Sequence, residues 1–383
     1  MPDRPAGLRG LTWDHPRGYQ ALEAFGAATA GTEVPRVHWS RQPLAGFEAH
    51  PIDELARTYD LLVIDHPGLG AAIAADALVP IDELLPGESV LRLARETVAT
   101  AWHSYRLHGR SWAVPIDAAT QVALARRALV PRLPARWRDV EALAREVPMT
   151  LCLGGPHALL MLLALGGDRS SDSGRLLDPA RAVGAVELLQ RLAPLADADT
   201  SMLDPIGVHE AIADGSGPAW CPLAFGYATY ADRGLAWADA PAWLDDSPAS
   251  VLGGTGLAVA ARSRDDERVM CWLQAFLEPS VQAGLVPDNG GQPALRAIWQ
   301  PGAVDDRWGH YYTATRRSLD KAWIRPRLPG WIMLQDEAGS IVRDALRSAV
   351  TAQTVVDELN RMYTALLRTA QAAARPETTK ERL

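Results

Sequence analysis

Residues 59–70 read YDLLVIDHPGLG. Leu61 to Ile64 is an unbroken apolar run, as expected of a strand covered on both faces. Asp65-His66-Pro67 ends it, and the proline suits the first turn of a following helix. The same tripeptide, Asp14-His15-Pro16, stands in GLTWDHPRGYQ, residues 10–20. It too closes a short strand, LRGLTW, and precedes helical apolar spacing at Leu22, Phe25 and Ala28. In open α/β sheets the ligand crevice lies beyond the carboxyl ends of the strands. Two copies of one polar tripeptide at two strand exits therefore predict a polar cleft to which both contribute.

Outward from these copies the alternation continues. VPRVHWSR reads as a strand, GFEAHPIDELARTY as a helix and PGLGAAIAADA as the start of another helix, and LVPIDELL follows. This βαβαβ order predicts a mostly parallel, doubly wound sheet. Ser111–Pro115 then reads as a strand entering a proline-marked crossing, and Val122–Leu124 begins another apolar element. PARWRDVEALAREV is an amphipathic helix with Trp137, Val140, Leu143 and Ala144 on one face. MTLCLGGPHALLMLLALGGD reads as a short strand, a Gly-Gly-Pro turn and a buried helix. DPARAVGAVELLQRLAPLA is a helix capped by Asp178 with Pro179 first. ASVLGGTGLAVAAR is an apolar strand broken by Gly253, Gly254 and Gly256, which marks a bend or close approach by a ligand. Helices close the chain. Without linker or repeat, two lobes require the chain to pass between them more than once.

Composition narrows the function. The chain of 383 residues is 48% hydrophobic and carries a net charge of −8, which fits a globular protein and argues against a nucleic-acid partner. No apolar stretch is long enough to span a membrane. MPDRPAGLRG lacks the apolar core of a secretory leader, so either a leader was removed or the chain stays in the cytoplasm. Cys152, Cys221 and Cys271 fit no metal spacing and read as small apolar residues. No nucleophile elbow, zinc-protease motif or phosphate loop occurs, and GLGAAI has Ile73 where a dinucleotide fingerprint needs glycine. Neither catalysis, a metal nor a cofactor is expected. Thirteen Trp against four Phe, many beside loop residues, suggest a cleft lined with flat apolar faces.

The order of motifs resembles the extracellular solute-binding proteins of ABC importers, in the family with carbohydrate-binding members. YDLLVIDHPGLG…ALVPIDELL, YRLHGRSWAVPIDAATQVALARRAL, LPARWRDVEALAREV, VLGGTGLAVAARSRDDERVMCWLQAFLEPSVQ, NGGQPALRAIW and RPRLPGWIMLQDEAGSIVRDAL carry the resemblance in family order, over almost the whole chain. It implies a two-lobed, periplasmic-binding-protein-like α/β fold (type II), each lobe a doubly wound sheet flanked by helices, joined by a hinge. Crossings are expected near Val114–Asp117, Gly253–Gly256 and Pro301–Ala303. They give one lobe of residues 1–116 plus 254–303 and another of 117–253 plus 304–383. The implied function is binding of a small polar solute by hinge closure, as a monomer, with importer membrane subunits as partners and a periplasmic or extracellular location. The alternative is a cytoplasmic enzyme or sensor on the same scaffold, acting on a carboxylate-bearing metabolite.

Ligand contacts are expected at the strand exits: Trp13, Asp14, His15 and Arg17; Asp65 and His66; Asp117 and Gln121 after the first crossing. Trp220, Tyr227 and Tyr230 supply aromatic faces, Gly254 and Thr255 a bend, and Arg327 and Trp331 a late contribution. Rings against C–H faces and planar polar groups against hydroxyls suit a sugar. Convergence of His15, Arg17, His66 and Arg327 would instead suit a sugar acid or other organic acid.

Overall fold

The computed structural model describes residues 7–44, 50–170 and 174–373. Strands β1 (Leu8–Trp13), β2 (Val37–Gln42), β3 (Leu61–Ile64) and β4 (Leu78–Val79) come first. A ribbon of β5 (Arg106–Leu107) and β6 (Arg110–Ser111) precedes β7 (Val114–Pro115). Then come β8 (Ala119–Arg126), β9 (Trp220–Phe225), β10 (Leu235–Ala238), β11 (Leu252–Gly253) and β12 (Gly256–Ala260). One sheet has the order β2-β1-β3-β12-β4, with β7 also on β12; the other joins β10, β8 and β11, with β9 on β8.

The first sheet is parallel from β2 to β3, and β12 enters it antiparallel. Alternation sends Leu61, Val63, Leu257 and Val259 to one core, and Leu62, Ile64, Ala258 and Ala260 to another on the opposite face. The apolar run at Leu61–Ile64 is thus covered on both sides. The pairings among the named strands of the second sheet are antiparallel. Its largest core is helical: the segment His157–Gly166 is buried all round because nothing polar follows His157, Pro179–Leu192 and Trp331–Ala345 pack on it, and Ala352–Ala373 packs on those two.

The glycine-broken run of residues 251–260 is two strands in two different sheets. β11 ends the second sheet, Gly254 and Thr255 cross, and β12 enters the first. Gly254 has φ +98°, and a Cβ there would lie 2.4 Å from the Asp117 carbonyl oxygen, so only glycine fits. The outward passage, Ile116–Ala118, runs beside it: Ile116 and Asp117 donate to the Thr255 carbonyl at 3.0 and 3.1 Å, and Thr255 donates to Asp117 at 3.1 Å. Backbone at Gln292 joins them, its carbonyl accepting from Ala118 at 2.9 Å. Pro301–Ala303 lies further on, exposed, at the start of a short helix.

Three local expectations change. Ser111–Pro115 is not one strand; it divides between β6 and β7. Around Met149 there are only isolated bridges, to Ala196 and Trp220. The helix read from GFEAHPIDELARTY is the short Ile52–Ala56, and residues 45–49 of that reading lie outside the described residues. Asp178 caps its helix as expected, accepting from Ala180 at 3.0 Å. Cys152 and Cys221 are buried, whereas Cys271 is exposed.

Candidate functional site: a cleft between the lobes

A cavity of about 650 Å³ opens where the two sheets meet. The first lobe contributes the exits of β1 and β3, with Trp13 and Asp65. The crossing contributes Gly253–Thr255. The second lobe contributes Phe225 at the end of β9 and Tyr227 just after it, the turn Gly154–His157, Met202–Pro205 and one face of Trp331–Ala345. Arg325 lies between these groups.

Trp13 packs against Gly18 in the first turn of the next helix, where a Cβ would be 2.4 Å from the indole. Thr12 Oγ1 donates to the Gly18 carbonyl at 2.7 Å and fixes that turn. Asp65 accepts from the His66 backbone at 2.7 Å and pairs with Arg325, whose side chain is buried. Asp204 caps the helix Pro205–Asp214 by accepting from Gly207 at 2.8 Å. Asp336, Ser340 and Arg343 share one helix face at i, i+4 and i+7. Arg343 donates to the Leu153 carbonyl at 3.1 Å, to the Gly155 carbonyl and to Ser340 Oγ at 2.8 Å. That helix sits close on the Gly-Gly-Pro turn because Gly339 has no side chain; a Cβ would be 2.8 Å from the Gly155 oxygen.

Of the residues expected from the sequence, Trp13, Arg17, Asp65, Tyr227, Gly254 and Thr255 line this cavity. Arg17 does so with its fork filled: Nε donates to Asp117 Oδ2 at 2.8 Å and Nη2 to Oδ1. The carboxylate it grips is the chain's own Asp117, and both side chains are buried. Burial opposes the guanidinium charge, but Asp117 outweighs burial and holds the pKa above its ordinary value.

The others go elsewhere. His15 faces a second groove with Tyr230, on the far side of Tyr227. Its pKa is lowered to about 4, by burial first and then by Arg17. Tyr230 donates to Glu210 Oε1 at 2.6 Å. Asp14 is exposed, 3.6 Å from Arg41. His66 is buried beneath Asp65, with Nδ1 3.0 Å from its Oδ1. Gln121 is buried in β8 and does not line the cavity. Trp220 and Trp331 belong to the helical core, donating to the Val147 carbonyl at 3.2 Å and to Gln335 at 3.0 Å. Arg327 donates Nη1 to the His103, Ser104 and Arg106 carbonyls at 2.8, 3.1 and 2.9 Å and is turned away from the cleft. Of the two arginines in RPR it is Arg325, two positions earlier, that lines the cavity.

Sequence reasoning missed Arg325, Phe225, His157, Asp204 and the Asp336–Ser340–Arg343 face. GGPH and LDP, turns with a polar residue beside proline, were the available signals for His157 and Asp204. Nothing local distinguished Arg325 from Arg327. Among the described residues no group of three or more metal-ligating side chains occurs, and no helix is long and apolar enough to cross a membrane.

No protein-family model matches the chain, nor does any curated protein match it in sequence. The two lobes, the paired crossings and the cleft between them define a two-lobed α/β fold. Among solved structures the fold is similar to the GacH receptor of Streptomyces glaucescens, crystallised unliganded and with acarbose. The two share 16% identity and a TM-score of 0.77, over 96% of this chain and 99% of that one.

Proposed function

We propose that this protein is the solute-binding component of an ABC importer and holds an uncharged carbohydrate in the interlobe cleft. The observation that carries the reading is the lining: aromatic faces from both lobes, Trp13 from one and Phe225 with Tyr227 from the other, around one cavity. Such faces complement the C–H surfaces of sugar rings, while Asp65, Asp204, Ser340 and the Gly253–Thr255 backbone offer hydroxyl partners. The acarbose complex of the structural neighbour supports the same class.

The fate of the four expected groups favours a neutral sugar over an acid, with Arg343, held by two carbonyls and Ser340, the one cavity arginine among the described residues given no carboxylate. Of the four groups that would attract a carboxylate, His15 and Arg327 do not line the cavity, His66 lies against Asp65, and Arg17 is filled by Asp117. Arg325 is paired with Asp65. A ligand touching both lobes would stabilise their closed arrangement, as transport requires of a receptor. An extracellular location, a monomeric state and membrane-subunit partners belong to this proposal.

The test is titration calorimetry with acarbose, maltose, longer neutral oligosaccharides and matched sugar acids. A neutral oligosaccharide should bind, and Phe225→Ala should weaken it about tenfold or more. Binding of the acids alone, or of nothing by well-folded protein, would reject the proposal.

A further inference from the structure

We infer that Arg17 is an interlobe arm: anchored at the crossing by Asp117, it reaches into the second lobe and sets how closely the lobes approach. Its helix, Pro16–Ala28, belongs to the first lobe, with Leu22 and Phe25 in that core. Asp117 stands between β7 of one sheet and β8 of the other. Gly226 and Tyr227 follow β9 of the second sheet. Arg17 Nη1 donates to the Gly226 carbonyl at 3.1 Å, and its guanidinium carbon lies 4.7 Å from the Tyr227 ring centroid. One side chain therefore spans first lobe, crossing and second lobe.

The geometry gives the three contacts different fates. Asp117 lies at the crossing itself, where rotation of the lobes displaces it least. Gly226 and Tyr227 move with the second lobe. Separation of the lobes would keep the carboxylate pair but break the Gly226 bond and lift the guanidinium off the ring. At a site where Arg17 and Asp117 are each only 6% exposed, water does not readily replace those contacts.

Two neighbours reinforce the arrangement. His15 Nδ1 accepts from the Arg17 backbone at 3.2 Å, and its ring meets Tyr227 edge-on at 4.9 Å. Gln292, at the third backbone passage, donates to the same Gly226 carbonyl at 3.4 Å and accepts from Ala228 at 2.8 Å. Tyr227 also lines the cavity, so a ligand against it presses the ring that Arg17 grips. That last step rests on the proposed function; the arm itself does not.

The experiment is small-angle X-ray scattering of ligand-free Arg17→Lys, followed by affinity for whichever neutral oligosaccharide the wild type binds. Lysine keeps the charge on Asp117 but lacks the fork that serves Asp117 and Gly226 together. The expected result is a larger radius of gyration than wild type and an affinity about tenfold lower through faster dissociation. An unchanged radius overturns the inference, even if Tm falls, because a merely structural pair would lower Tm alone. Should Arg17→Lys fail to fold, the double variant Arg17→Met with Asp117→Asn removes both charges and decides by the same scattering measurement. The scattering needs no ligand, so failure of the carbohydrate reading leaves this result separately legible.

Discussion

The two Asp-His-Pro copies are identical in sequence and adjacent in space, yet they do different work. β1 and β3 are parallel neighbours, with Gly10 opposite Leu61 and Leu11 opposite Leu62. Continued past the strands, that register sets Asp14 level with Asp65 and His15 level with His66. After β1 the chain enters a long helix directly; after β3 it makes a 3₁₀ turn at His66–Gly68 first. Asp14 is left in solvent and His15 against the second lobe's Tyr227 and Tyr230, whereas Asp65 meets the cleft and Arg325. Shared chemistry at shared strand ends does not set a shared role. The segment packed across from each copy does.

The largest test of that contrast is Asp65→Ala. It leaves Arg325 buried without its carboxylate and should cost about 3–5 kcal/mol, read by urea unfolding. A loss under about 1 kcal/mol would mean that the second copy is as expendable as the first.

Next is acid. His15 and His209 both have pKa values lowered to about 4, each chiefly by burial, against about 6.5 in the unfolded chain. Arg17, Glu210, Tyr227 and Tyr230 face His15; the Pro205 carbonyl, Trp237, Tyr227 and Tyr230 face His209. The unfolded chain binds protons that the folded one refuses between pH 6.5 and 4. Stability is therefore full above pH 6.5 and falls as pH drops to 4, by about 1.4 kcal/mol per unit for each histidine. His15→Gln should remove one such slope, at most about 3 kcal/mol across the window. An unchanged profile would show that His15 is charged in the folded state.

Smaller again is Trp13→Ile, which gives the first copy the apolar residue that precedes the second. Oligosaccharide affinity should fall by about 1–2 kcal/mol, roughly tenfold, in a calorimetric titration. The smallest effect is expected of Asp14→Ala, below about 1 kcal/mol in urea, since Asp14 meets Arg41 only in solvent.

Much of the fold was legible because it rests on short-range patterns. LLVI announced a doubly covered strand, Asp178-Pro179 a helix start, and HALLMLLALG a buried helix. Gly253, Gly254 and Gly256 marked a bend, the resemblance put a crossing there, and the pairings set β11 in one sheet and β12 in the other. The antiparallel second sheet was not legible, since alternation within one strand says nothing about its neighbour's direction. In the cleft, residues at strand exits were findable, whereas Asp336, Ser340 and Arg343 sit on a helix that reads as ordinary amphipathic surface. Trp220 and Trp331 misled because a tryptophan beside a loop has the same local sequence whether it faces a ligand or a core.

By itself the sequence determined a βαβαβ start, a doubly covered strand, a glycine bend and polar residues at strand ends, for these follow from hydrophobic period and from glycine and proline geometry; two lobes with crossings between them entered as what the resemblance implies. Only the tertiary structure decided which of those polar groups are already spoken for. Arg17 closes on Asp117, Arg325 on Asp65, and Arg327 on three carbonyls, and each choice depends on distances between segments far apart in the chain, which no local pattern encodes.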